Sequence, residues 1–269
     1  MWLSVEHVTR LSYDGPINEA YTELRLKPSH RDGQRCPSFT LVTEPRGVSV
    51  AEYEDRFGNA VHHFDVLESH TTLGVTARSE VLTPEQFADD EAAPSLLDRW
   101  DLLRPSRYIP LEGEIGDRAT GIDGDGATLA TAYAVMAAVR SRMTYETGAT
   151  DVETLADEAL AAGHGVCQDI AHVMIGLCRL KGIPARYVSG YLFDRSAGAN
   201  GGTASHAWVD VFDPERGWVS LDPTHDRAQR NCYVRVGVGR DYADVPPTRG
   251  VYKGKAREEL EVAVRIREL

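Results

Sequence analysis

The chain has four cysteines, Cys36, Cys167, Cys178 and Cys232, and one of them lies where a thiol gains reactivity. In "HGVCQDIAHVMIGLCRLKGIP", residues Ile170, Val173, Met174, Leu177 and Cys178 recur at helical spacing. That spacing predicts a helix over 166–181, ended by Gly182 and followed by Pro184. Cys167 then sits in the first turn, where backbone N–H groups lack intrahelical partners and carry the positive end of the dipole. Both effects favour thiolate over thiol and can bring a cysteine pKa below its free value of roughly 8.5. The same N–H groups can hold an oxyanion if the sulfur attacks an acyl group. The plain alternative is a small buried hydrophobe, the fate of most free cysteines. Cys178 is the internal contrast. It lies about 16 Å further along the axis on nearly the same face, mid-helix, with no freed N–H groups. It is expected in the core, with Cys36 and Cys232 assigned to packing.

A thiolate that moves acyl groups needs an imidazole to carry protons and a third group to orient that imidazole. "ASHAWVDVF" alternates, so His206, Trp208, Asp210 and Phe212 share one face of a strand. "DPERG" has turn residues, and "WVSLDP" reads as the returning strand of a hairpin. A turn centred on residue 214 or 215 puts Asp222 directly opposite His206 or one diagonal step away. The two side chains share a face in either case, with across-strand neighbours roughly 5 Å apart at Cβ. Pro223 stops the strand and leaves Asp222 at its end. Each residue also has an ordinary explanation, a half-buried strand histidine and a turn acid before proline. Spacing alone does not bring the hairpin to the helix start.

Other chemistries compete for the same residues. Cys167, His206 and Asp222 or His164 are zinc ligand types. No C-x-x-C pair, H-E-x-x-H run or other recognised zinc spacing is present, however, so no metal is expected. His62 and His63 are neighbours in a strand-like stretch and point to opposite faces. No EF-hand calcium loop occurs. His164, three residues before the thiol, is an alternative base or a solvent-facing bystander.

The elements that must position these groups fall into two regions. Residues 1–85 read as an N-terminal β domain. "VEHVTRLSY", "AYTELRLKP", "SFTLVTE", "VSVAEYED", "AVHHFDVLE" and "TLGVTARSEVL" alternate in part and are separated by turn signals, as in a sandwich or barrel. Residues 86–123, rich in acid and proline, read as a connecting segment with one short helix. Helices are expected over 125–143, with Asp125 ahead of the apolar run, and over 151–163, with Asp151 as cap and Gly163 as stop. Strands return after Gly190, and the last ones, "VRVGVGRDYADV" and "ELEVAVRIREL", are assigned to the second domain, 86–269. The fold class is α+β.

A length of 269 residues with 42% hydrophobic and 26% charged residues is that of a globular protein with an ample core. The net charge of −12 argues against non-specific binding to nucleic acid or an anionic membrane. No stretch reaches 18 apolar residues, and "MWLSVEHVTRLSYDG" reads as a strand, not a signal peptide. A reducing, cytoplasmic setting with free thiols is the expectation.

Three blocks in this order, "AAGHGVCQDIAHVMIGLCRLKGIPARYVSGYL", "SHAWVDVF" and "WVSLDPTH", closely resemble the transglutaminase-like superfamily. The nearest branch is its bacterial members described as cysteine proteases. "DRFGNAVHHFDV" and "VGRDYADVPPTRGVY" extend the resemblance over nearly the whole chain. The resemblance implies an N-terminal β-sandwich or barrel-like domain followed by a papain-like transglutaminase core. It implies Cys167 as nucleophile, His206 as general acid/base and Asp222 as orienting acid, in an enzyme that needs no cofactor. Cysteine-dependent acyl transfer or hydrolysis at amide bonds of a peptide or protein, through a thioester, is the implied activity. Gln168 and Asp169 match the block after the cysteine, and Asp169 suits the helix N-terminus electrostatically. Tyr145, Gln168, Tyr191 and Trp208 are candidates to line the acyl site, although isolated aromatics more often belong to cores. The competing function is a protein-binding module on the same fold without catalysis. Oligomeric state is left open.

Overall fold

The computed structural model describes residues 1–85, 92–122, 128–194, 205–228 and 230–269. A 23-residue strand, β1 (Trp2–Leu24), organises the front of the chain. Val5, His7, Thr9, Leu11 and Tyr13 alternate inward and are buried, the period of two expected for a sheet with one covered face. The first half of β1 pairs with β5 (His70–Leu82), and β2 (Arg35–Glu44) adds outside β5. The second half pairs with β4 (Ala60–Val66), which carries β3 (Ala51–Glu54). The register of β1 breaks between Ser12 and Ile17, and Pro16, which has no N–H to give a ladder, lies in that break.

The back half is built on α5 (Cys167–Leu180), whose residues from Gln168 to Arg179 are all buried. It packs on a five-stranded sheet in the order β11 (Arg227–Ala228), β10 (Gly217–Asp222), β9 (Ser205–Asp213), β8 (Ala185–Leu192), β12 (Tyr233–Gly239). Three further helices, α2 (Gly113–Ala119), α3 (Thr128–Arg142) and α4 (Ala156–Ala162), complete one core with Ile170, Val173, Met174 and Leu177. Gly176 permits the close approach, because a Cβ there would lie 3.1 Å from Ile109 and Ile115. No helix among the described residues is long and apolar enough to cross a membrane.

Several expectations shift. The connecting segment holds α2 and an earlier helix, α1 (Leu96–Leu102), capped by Ser95 through Asp98 N. Asp125 lies outside the described residues. The helix expected over 151–163 is only α4, because Asp151 Oδ1 accepts Glu153 N at 2.8 Å and closes a tight turn instead of a helix. The final strands, read from the sequence as part of the second domain, join the first sheet. There β13 (Thr248–Lys253) and β14 (Glu258–Glu268) pair with β1, so that Leu260, Val262, Val264 and Ile266 face the side of Leu11, Thr9, His7 and Val5.

The two regions are sewn together at β12, the outer strand of the core sheet. Gln34 donates to Arg235 O (2.9 Å) and accepts Arg235 N (2.9 Å). Asn59 does the same with Val238 O (2.8 Å) and Val238 N (2.8 Å). Two side-chain amides thus satisfy backbone groups that an added strand would otherwise take.

Candidate active site

Local structure aims the thiol. Gly163, at φ 76°, ends α4 in the left-handed region that favours glycine. The short β7 (His164–Gly165) then pairs in parallel with β6 (Thr144–Tyr145). Val166 is extended, and Cys167 opens α5. The first bond of the helix, Ile170 N to Val166 O, leaves the N–H groups of residues 167–169 outside the helical ladder. Asp169 braces the entry: its Oδ2 accepts Val166 N at 2.8 Å and Thr150 Oγ1 at 2.6 Å. Burial raises its pKa, against the lowering effect of these hydrogen bonds. The brace also fixes Gly165, since a Cβ there would stand 2.7 Å from Asp169 Cβ.

The hairpin delivers the other two groups. Leu221 pairs with Val209, and Ser220 with Asp210, which sets Asp222 one diagonal step from His206 on the same face. His206 Nε2 lies 2.8 Å from Asp222 Oδ2. The Cys167 side chain is a near neighbour of the ring and acts on its charge. With Nε2 on the carboxylate, Nδ1 is the nitrogen left for the sulfur. Burial alone would lower the His206 pKa, but the hydrogen bond to Asp222 and the neighbouring Cys167 side chain outweigh it and raise the pKa to about 9. Burial would raise the Asp222 carboxyl, yet hydrogen bonds from His206, His225 and Tyr233 hold it well below the usual carboxylate range.

Asp222 is itself tightly held. Its Oδ1 accepts Thr224 N (2.9 Å) and His225 N (3.2 Å), a turn formed by the residues just after the strand. Its Oδ2 also receives Tyr233 OH (2.5 Å) and meets His225 Nδ1 (2.9 Å). Tyr233 OH in turn accepts Arg227 Nε at 2.8 Å. Sequence reasoning missed both His225 and Tyr233. The "DPTH" turn carried a signal for His225, three residues after the acid. Tyr233 arrives from β12, and nothing local announces it. Among the described residues His206, Asp222 and His225 are the group whose ligand atoms, all within 4.8 Å of one another, could hold a metal ion.

The expected lining residues divide. Tyr145 is 52% exposed on β6, beside the stretch that leads into Cys167. Gln168 is buried, and its Nε2 donates to Val152 O at 3.1 Å, tying the preceding loop to the helix start. Trp208 is fully buried and stacks on His206, centroids 6.1 Å apart, and makes a T-shaped contact with Tyr233. Tyr191 is placed elsewhere. Its neighbour Gly190 pairs with His206, so Tyr191 faces the opposite side of the sheet, and its hydroxyl lies 3.0 Å from buried His7 Nδ1. His164 sits on β7, part-buried, paired with Thr144.

The chain is similar to known proteins along most of its length. Residues 117–223 match the model of the transglutaminase-like superfamily, and residues 3–82 match that of the bacterial transglutaminase-like N-terminal region. An uncharacterized protein of Mycobacterium leprae is 34% identical over 281 aligned residues, covering 100% of both chains. A protein-glutamine gamma-glutamyltransferase of Pseudomonas aeruginosa is 29% identical over 173 residues, 58% of this chain and 25% of that enzyme. Among solved structures, one from Cytophaga hutchinsonii named as a candidate cysteine protease superposes with a TM-score of 0.79 at 21% identity, covering 100% of this chain and 91% of that one. The structural likeness establishes the fold.

Proposed function

We propose that this chain, which belongs to the transglutaminase-like superfamily, is a cysteine-dependent enzyme that cleaves or transfers acyl groups at amide bonds of a peptide or protein. The observation that carries the reading is the buried hydrogen bond of His206 to Asp222, with the side chain of Cys167, the first residue of α5, near enough to the ring to act on its charge. Cys167 Sγ, as thiolate, attacks the amide carbonyl. The N–H groups at the start of α5 receive the oxyanion. His206, held as imidazolium by Asp222, gives its proton to the leaving amine, and a thioester remains on Cys167. A second nucleophile then loses its proton to His206, takes the acyl group and frees the sulfur. Water as that nucleophile gives a peptidase or amidase, and an amine gives a transglutaminase. The amount of water admitted to the acyl site decides between them.

The direct test incubates the protein with a peptide library, with and without a primary amine, and follows products by mass spectrometry. Cleaved or deamidated peptides report water as acceptor, and amine adducts report transfer. A folded protein that gives neither, with Cys167→Ser behaving identically, sinks the proposal.

A further inference from the structure

We propose that His206, Asp222 and His225 form a site for a transition-metal dication, zinc by ligand type, and that metal bound there silences the thiol. The silencing rests on the amide-transfer reading above, whereas the binding does not. Catalysis needs one imidazole on Asp222, and the structure supplies two. His206 Nε2 and His225 Nδ1 converge on the same oxygen, Oδ2, at 2.8 and 2.9 Å. Their rings meet edge to face at 5.0 Å and 71°, so the two nitrogens approach one point from different directions.

Two imidazole nitrogens and a carboxylate oxygen are a zinc donor set, with bonds of about 2.0–2.2 Å and ligand atoms about 3.3 Å apart in a tetrahedron. The three atoms lie within 4.8 Å of one another, and the 2.8 and 2.9 Å nitrogen–oxygen separations need widen only by about half an ångström to admit the ion. The carboxylate is already fixed, because Thr224 N and His225 N grip Oδ1. Tyr233, backed by Arg227, stands beside it as an outer partner of the kind that orients ligating carboxylates. Entry is through His225, whose side chain is 43% exposed while those of His206 and Asp222 are buried. Asp222 and His225 come from one turn and His206 from the adjacent strand, so the set needs no movement of the domains.

Metal at Nε2 of His206 leaves the ring's only proton on Nδ1, facing the sulfur. That nitrogen then has no lone pair to accept the proton of the thiol or of a second nucleophile. It also displaces Asp222 from its hydrogen bond. The proton carrier is blocked without any contact between metal and Cys167.

The test uses the intact chain freed of metal by chelator. Zinc chloride is titrated calorimetrically, and metal content is measured after gel filtration. Wild type is expected to bind one zinc per chain. His225→Ala and His225→Asn, checked for wild-type melting, are expected to weaken binding by more than the roughly 10- to 100-fold lost with a mere outer-shell partner. Cys167→Ser is expected to keep the site. Zinc should also suppress turnover in the peptide assay. Absence of zinc binding by wild type, equal binding by both His225 variants, or loss of binding in Cys167→Ser overturns the proposal. An active enzyme without zinc binding sinks this inference alone, and zinc binding by an inactive protein sinks only the catalytic reading.

Discussion

His206 reaches Asp222 across a single diagonal step of the β9–β10 hairpin, nitrogen to oxygen 2.8 Å. The pair is therefore local, set by a tight turn and a strand period. The thiol is not local to it. It arrives because α5 packs against the sheet through Ile170, Val173, Ala207, Val209 and Leu221 in one core. Half of the proposed machine is made by a hairpin, and the other half by tertiary packing.

Alkylation separates the cysteines. Iodoacetamide at neutral pH should modify Cys167 first. Burial pushes the Cys178 thiol up to about 12 and the Cys36 thiol up to about 11, and both are buried. Peptide mapping by mass spectrometry reads the order. Early modification of Cys178 with Cys167 untouched would contradict the proposed nucleophile.

Replacement of Asp222 by Asn should cut kcat by about 100- to 10,000-fold, the range seen when a triad acid is lost. It should also move the alkaline limb of the pH–rate profile. In wild type the imidazolium persists to about 9, so activity that needs it falls as pH rises through that value. Without the carboxylate, burial pulls the ring back toward or below about 6.5, and the limb shifts to lower pH. An unshifted limb would mean that Asp222 does not hold His206.

Tyr233→Phe removes one hydroxyl that joins Arg227 to Asp222. Hydrogen bonds to charged groups are worth about 1.5–3 kcal/mol, so denaturant titration should show a loss of that order. An unchanged midpoint would show that the hydroxyl stabilises nothing.

Gly190→Ala should be severe. Its Cβ would sit against the carbonyl of Val234 and 2.6 Å from the Trp208 ring, directly across from His206. Overpacking commonly costs about 1–3 kcal/mol, and contact with backbone puts this site at the upper end or beyond. A variant that melts like wild type would refute the close packing behind the imidazole.

Acid should weaken the fold before the carboxylates titrate. Burial lowers His7 and His172 to about 4 each. Between that value and the unfolded 6.5 or so, the unfolded chain binds more protons, so stability falls as pH drops across this window. Each histidine contributes roughly 3 kcal/mol to the change by the lower end. Urea unfolding at pH 7 and pH 4.5 measures it, and equal stability at the two would exclude neutral burial.

Much of this was written locally in the chain. The apolar spacing over Ile170–Cys178, with Gly182 after it, specifies α5, and the alternation around His206 specifies the hairpin face. Residues that depend on distant partners were not legible. Tyr191 is an aromatic near the site in sequence, but strand alternation turns it to the domain boundary and His7. The "ELEVAVRIREL" strand carries no mark of its partner, and only pairing with β1, more than 240 residues away in the chain, places it. Val152 and Thr154 follow Asp151 in what resembles a helix start, and the side-chain turn of Asp151 prevailed over the periodic pattern.

The amide contacts of Gln34 and Asn59 on β12 bear on how this chain can be cut or recombined. They finish a ribbon that would otherwise present bare hydrogen-bonding groups to any passing strand. A truncated back half would keep Cys167 and acquire a sticky margin, inviting insoluble assembly. The front half is thus a selvedge for the back, and grafting another in its place requires amides at the same two stitches.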